Sequence, residues 1–531
     1  MKKKGFTLIE LLAVIIILAV IALIATPIVL NVIDNAKRSA NKDSAYGLLD
    51  SAKLYYMESL LDENKSLSGN LIDKINISGN KPSSGIIYIN SNGEIALAVV
   101  YDKTCYKKEY SDTDLTESDD ISNCTVTVQK ELYKDSILNG ADPELDESMI
   151  PIVINQDGTV KKADIYSEWY DYTEKRWANV VLVSDESRSK YINAKAGTPI
   201  ETEDIKAYYV WIPRYKYQIF YDGTNTTEKQ LINITFESKD IAKSTGTEKD
   251  SWLTHPAFTF GDKELNGIWV GKFETTGTES VPTVLPYTSE NIQQSLRSQN
   301  VSTQFATSQK INYGITSLEA SMLKNSEWGA IAYLTASIYG QGTEEVMINN
   351  SQYYYTGCAA TVAPTTISSG YYAGCENEWY TTNGQKASTT GTMYGVYDMS
   401  GGAREYVMAV LEDSLNSNIP VSGNSSEYNS GFNGKNLNDG TTTTGVSFPE
   451  SKYYDIYKYG TSSTDYTRYH LGDATTETKG WNKDQANFVY ASYSWFERGC
   501  DWYFGASAGV FAFGSAGGNA SSNYSFRSVL R

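Results

Sequence analysis

Cysteine, histidine and a misplaced acid are the residues of this sequence most able to do chemistry, and they are few. The 531 residues include 5 Cys and 2 His. His255 and His470 stand far apart, too sparse for a histidine-rich metal site. Cys105 and Cys124 bracket an acidic stretch, Ser111–Asp120, and Cys358 and Cys375 form a second close pair. Both spacings suit loop-closing disulfides in an oxidising compartment, the first stabilising by about 3 kcal/mol. Cys500 is the odd one. The acidic stretch reads as a solvated loop, and no metal site is assigned. No His-Glu-x-x-His helix or P-loop occurs. Carboxylates are plentiful, but nothing singles out two as a glycosidase-like pair. No catalytic residue and no cofactor is expected.

The misplaced acid is Glu10. It opens an apolar run, and from Leu11 to Ile33 the chain carries no charge. An unpartnered carboxylate in such a run costs about 2.5–3.5 kcal/mol. The run makes about 34 Å of helix, enough to cross a bilayer. Lys2, Lys3 and Lys4 put its start in the cytoplasm, and a secretory signal would carry no acid there. Beyond the span, Ala45, Leu48, Leu49, Ala52, Tyr55 and Leu60 recur at helical spacing, so the helix continues in amphipathic form. Pro27 removes one backbone hydrogen bond and predicts a kink.

The string Lys4-Gly5-Phe6-Thr7-Leu8-Ile9-Glu10 resembles, at every motif position, the class III signal of type IV pilins and pseudopilins. The resemblance implies cleavage after Gly5 by a prepilin peptidase and N-methylation of Phe6. It implies that Glu10 pairs with the new amine of a neighbouring subunit, since a buried charge is tolerable with a partner. Pro27 is common in such helices. The partners implied are other pilin subunits, the peptidase and the membrane, with passage from the cytoplasmic membrane to a pilus or cell surface. The organisation expected is a leader (1–5), a helix (6–62, its membrane and polymerisation half 6–33) and a pilin-like head (63–130). In the head, Ile86–Asn90 and Glu94–Tyr101 meet through Asn92-Gly93 as a hairpin, and Cys124–Gln129 reads as a further strand.

The formal charge of −18 excludes a phosphate backbone as partner of the bulk. Abundant Gly, Ser, Thr, Asn and 41 Tyr without repetition read as a folded, loop-rich, extracytoplasmic protein. Residues 131–204 read as a small β spacer. In it, Asp157-Gly158 turns a hairpin, Trp169, Tyr170, Tyr172 and Trp177 supply core, and Val180–Val183 forms a strand. Tyr208–Phe220 and Gly267–Thr275 follow as strands, and Ser317–Tyr339 reads as helical.

Four pieces of residues 205–531 resemble, in order, the formylglycine-generating-enzyme-like superfamily, a variant of the C-type lectin fold. Gly267–Thr275 is similar to its "x-G-K-x-E-V-T" strand and Glu327-Trp328 to its "E-x-E-W" segment. Gly395–Tyr406 is similar to "G-L-Y-D-M-S-G-N-V-W-E-W". Arg498-Gly499 and Phe526-Arg527 resemble its "R-G-G-S-W" and "G-F-R" endings. The resemblance implies a lectin-like mixed α+β domain in which Asp398, Glu405, Arg498 and Arg527 form a structural network. The enzyme resembled binds copper(I) through two cysteines near its C-terminus. Here only Cys500 stands in that region, in place of a glycine, so that activity is not expected.

The tail resembles the ligand-binding end of the variable proteins of diversity-generating retroelements. Asp501, Trp502, Tyr503, Phe504, Ser507, Ser515, Asn519, Ser522, Asn523 and Tyr524 mix rigid aromatics with adaptable polar groups, as paratopes do. They are the candidate ligand-binding residues, on loops either side of a buried strand, Ala508–Phe513. The whole chain is thus expected to be α+β: a long N-terminal helix with a small antiparallel sheet, a β spacer and a lectin-like domain. It would be a pilin-like surface or pilus-tip protein displaying a domain for an extracellular protein or glycan ligand. A pseudopilin-like component of a secretion or DNA-uptake machine, or a pilus-displayed enzyme, are the alternatives.

Overall fold

The structure, a computed structural model, describes residues 7–59, 65, 67, 70–76, 79–90, 93–126, 133–134, 142–220, 228–246, 251–366, 370–412, 420–421, 430–435, 441–458 and 471–531. Gly5, Phe6, Leu60, Asn92 and His470 lie outside the described residues. The chain divides into two compact units, Met1–Leu132 and Tyr133–Arg531.

In the first unit a single helix, α1, runs Leu8–Ser59 and is unbroken at Pro27. Its first half is aliphatic all round and exposed, Leu8 by 83% and Leu23 by 79%. Its second half turns Ala45, Leu48, Leu49 and Ala52 onto an antiparallel sheet, where they pack with Ile87, Leu97, Val99 and Tyr106. The sheet order is Ser84–Ile89, Ile95–Tyr101, Thr104–Lys108, Thr116–Ser118. The last strand corrects the sequence reading in two ways. It lies inside the acidic stretch expected to be loop, and Cys124–Val126 is not a strand; residues 127–129 lie outside the described set. Two acids beside or on this strand face cations of α1: Glu117 meets Lys42 at 2.7 Å and Asp119 meets Arg38. Cross-chain pairing of this kind is invisible to a reading that treats an acidic run as solvated. Cys105 and Cys124 are disulfide-bonded.

The second unit is built on an eight-stranded antiparallel sheet. Its order is Ala320–Met322, Ser528–Leu530, Gly267–Gly271, Ile205–Pro213, Asn179–Val183, Ile150–Ile154, Val160–Lys162, Pro199–Ile200. The separate spacer of residues 131–204 is therefore a correction: its strands extend the sheet that contains the C-terminal one. Trp169, Tyr172 and Trp177 share one core with Trp211, Trp269 and Leu530. Asn179–Val183 is buried along its whole length, and a strand buried on both faces needs neighbours that a short module cannot supply.

A second sheet pairs Asp455–Tyr457, Arg404–Leu411, Trp495–Arg498 and Phe513–Ala516, and Tyr524–Phe526 runs parallel beside Arg404–Tyr406. Two further expectations change here. The helix expected over Ser317–Tyr339 is confined to Asn325–Thr335, because Ala320–Met322 is drawn into the sheet by the C-terminal strand. The strand expected over Ala508–Phe513 begins only at Phe513. Ala508–Ala512 is buried turn, and the Phe511 amide donates to the Asp484 carboxylate at 3.1 Å instead of to a ladder. A long N-terminal helix followed by several antiparallel sheets makes the chain α+β.

Candidate functional site

Thr7 and Glu10 act on one another before any partner does. The Thr7 amide and hydroxyl both donate to Glu10 Oε2 at 2.9 Å, and the Glu10 amide donates to Thr7 Oγ1 at 3.3 Å. This is a capping box, Thr-x-x-Glu, which satisfies amides that the first helical turn leaves free. The spacing was legible in the sequence, but the apolar run drew attention to the acid's charge alone.

In the second unit, four segments converge on one buried network. Arg527, fully buried, donates from Nε to Glu405 at 3.1 Å, forms an ion pair with it through Nη2, and reaches the carbonyls of Gly271 and Tyr397. Asp398 accepts from Asn349 at 2.7 Å and from the Gly357 amide. Glu274, which the sequence analysis did not single out, accepts from Ser295 and from the Ala403 amide. Burial raises the pKa of Glu405 against the pull of Arg527. Burial, with Glu405 and Asp398 close by, holds Glu274 well above the usual carboxylate range. The glycines between Asp398 and Arg404 are required by space: a Cβ on Gly402 would stand 2.7 Å from Glu274 Oε1, and φ there is +70°. Arg498 is held separately, donating to Asn325 and to the carbonyls of Asp473 and Ala474. Burial lowers its pKa to about 10. These residues support loops and have no solvent access.

One loop they support carries the candidate ligand residues. Arg404, next to Glu405, pairs with Glu497 at 2.5 Å and Asp501 at 3.3 Å, and its guanidinium lies 4.3 Å from the centre of the Phe504 ring. Its amide donates to the Asn523 carbonyl, so residues 501–504 and 523 are tied to one strand end. Asp501 is thereby corrected from a contact residue to a buried anchor, 3% exposed, because it neutralises Arg404 and accepts the Tyr503 amide. Trp502, Phe504, Ser507, Ser515, Asn519 and Tyr524 are half-buried rather than open, while Tyr503, Ser522 and Asn523 are exposed. Tyr524 is drawn inward by its ring contact with Tyr406, 4.5 Å between centroids.

The structure adds residues that sequence reasoning passed over. Tyr353, Tyr371 and Tyr372 are each close to half exposed. Trp502 packs against Tyr371 and Tyr354, with ring centroids 5.3 and 6.3 Å apart. The Tyr354 hydroxyl donates to Asn523 at 2.8 Å, Arg297 stacks on the Tyr354 ring at 3.9 Å, and Arg297 also donates to the Ser522 carbonyl. Three loops thus meet: 350–355, 371–372 and the tail. The Cys358–Cys375 disulfide closes the segment that carries Tyr371 and Tyr372. The clue in the sequence was the pair of tyrosine runs, Tyr353-Tyr354-Tyr355 and Tyr371-Tyr372. Cys500 is a buried free thiol at φ +58°, a backbone shape that suits the glycine it replaces.

Residues 1–26 match the model of the prokaryotic N-terminal methylation motif. Together with the long apolar helix that begins at Leu8, this motif supports a type IV pilin-like or pseudopilin-like N-terminus. It implies other pilin subunits as partners, processing by a prepilin peptidase, membrane anchoring, and a pilus or surface location. No curated protein matches the chain.

Proposed function

We propose that this is a pilin-like surface or pilus-tip protein whose second unit, a lectin-like domain, binds an extracellular protein or glycan and catalyses nothing. The observation that carries the reading is the meeting of Trp502 and Tyr503 with Tyr354 and Tyr371 at one surface. The loops there rest on half-buried Arg404, buried Asp501 and the Arg527–Glu405 network. Clustered, rigid, partly exposed aromatics with polar neighbours are typical of binding hot spots. The lectin-like assignment rests on the motifs around Gly267–Thr275, Gly395–Tyr406 and Phe526-Arg527, and draws support from their joint use in one network. The case against catalysis is that copper(I) chemistry of the kind resembled needs two thiolates, and one cysteine follows Cys375.

The test is an array of glycans and surface proteins probed with the wild type and with Tyr371→Ala and Tyr503→Ala. A ligand whose binding weakens in both variants, with melting unchanged, supports the proposal. Undiminished binding in both places the site elsewhere.

A further inference from the structure

A cavity of about 510 Å³ opens on the first unit beside α1, with Lys37, Asn41, Asn80, Lys81, Tyr101 and Asp102 among its lining. Other cations on this part of α1 are spoken for: Arg38 pairs with Asp119 and Lys42 with Glu117. Lys37 and Lys81 are exposed, and among the described residues neither is in an ion pair. Tyr101 is 3% exposed, and its buried hydroxyl has no hydrogen-bond partner among the described residues. Asn80 donates to Asn41 at 3.2 Å and Asn41 donates to Asp102 at 3.0 Å, which fixes one wall.

The cavity's height above the membrane says what could fill it. Lys37 lies four residues beyond Ile33, the end of the uncharged span, which is about 6 Å along the helix axis. The headgroup layer extends about 5–7 Å past the hydrocarbon on each side. Lys37 therefore stands at phosphate depth while the span crosses a bilayer. The charges say which headgroup fits. Lys37 and Lys81 supply two cations. Asp102 supplies an anion in the lining, and Asp34, outside the lining, supplies another one turn nearer the span on the helix face of Lys37. A bare phosphate would leave Asp34 without a cation and Asp102 with its hydrogen bond from Asn41 but no cation, and a quaternary amine has no N–H to donate to them.

We infer that the cavity holds the headgroup of a zwitterionic aminophospholipid of the outer leaflet, its phosphate between Lys37 and Lys81 and its primary ammonium toward Asp102 and Asp34. Charge-assisted hydrogen bonds of this kind strengthen where water is partly excluded. A subunit so held keeps its lipid until it is drawn from the bilayer into a filament, so release of the headgroup is one step of extraction.

The experiment uses the full-length protein in nanodiscs of equimolar phosphatidylethanolamine, phosphatidylcholine and phosphatidylglycerol. The protein is released in mild detergent, and bound lipid is counted by native mass spectrometry. One phosphatidylethanolamine per chain is expected, retained about tenfold over the other two. Lys37→Gln with Lys81→Gln should lower retention at least fivefold. Both side chains are exposed, so folding is not at stake, and a circular dichroism spectrum checks this. Tyr101→Phe should lower retention about threefold. Equal retention of the three lipids, preference for phosphatidylglycerol, or retention unmoved by the double substitution would each overturn the inference. So would saturation by inorganic phosphate that displaces the lipid.

Discussion

The first half of α1 and the surface around Trp502 both leave large hydrophobic side chains open to solvent, in contrasting ways. On α1 the exposed large residues are aliphatic, cover every side of the helix and are interrupted by no charged group from Leu11 to Ile33. Around Trp502 they are aromatic, confined to three loops and interleaved with Ser522, Asn523 and Arg297. A helix apolar all round needs another medium, lipid or packed neighbouring helices, and takes any that is apolar enough. An aromatic patch on a pinned scaffold needs a particular shape. Exposure by itself does not separate the two cases. What separates them is the pattern around the exposed residues and what lies beneath them.

The contrast breaks most severely if the scaffold is not rigid. Arg527→Met strands Glu405 in the interior, and a broken buried pair costs about 3–5 kcal/mol. Denaturant unfolding of the protein lacking residues 1–33 should show that loss, whereas Tyr503→Ala should show almost none. A native-like midpoint in the Arg527 variant would falsify the claim that this network holds the loops.

Acid should favour the scaffold. Burial raises Glu477 to about 7, despite hydrogen bonds from Tyr333 and the Gly472 amide. Its folded form therefore binds a proton that the unfolded form has lost. The resulting stability is fully present below about pH 4.5 and is lost as pH rises through 7. The Glu405 shift adds in the same direction. Melting at pH 5 and pH 8 should differ by on the order of 2 kcal/mol in favour of pH 5. A flat profile would mean that both carboxylates stay ionised.

At the surface, Trp502→Ala should weaken ligand binding by about 1–3 kcal/mol, read as an equilibrium titration once a ligand is in hand. The smallest effect belongs to α1. Thr7→Ala removes a cap hydroxyl worth about 1 kcal/mol, and hydrogen exchange should report fraying over residues 7–10 only. Loss of Glu10, by contrast, should reduce incorporation into filaments without freeing the protein from the membrane. Filament counts for Thr7→Ala and Glu10→Ala separate the capping role of the acid from its role between subunits.

The helix, the hairpins at Gly93 and Gly158, and the motifs that meet at Arg527 were legible because each is written locally, as a period, a turn residue or a short string. What escaped reading was decided by distant partners. Thr116–Ser118 owes its place to Thr104–Lys108 and the cations of α1, Ala320–Met322 to the C-terminal strand, and the burial of Asp501 to Arg404. Tyr353 and Tyr371 escaped for a related reason. Their runs lie well over a hundred residues upstream of the tail, and only the fold brings them to Trp502.

The C-terminal strand has one more consequence. Ser528–Leu530 lies inside the eight-stranded sheet, between Ala320–Met322 and Gly267–Gly271, and Arg531 donates to the buried Glu327. The sheet therefore stays open until residues 528–530 have been made and have reached Ala320–Met322 and Gly267–Gly271. A chain that stops or is cleaved before Ser528 presents two unpaired edges and a buried acid, Glu327, without Arg531. Such a product is a substrate for degradation before it can join a fibre. Pairing of this strand thus registers that a copy has been made at least as far as Leu530.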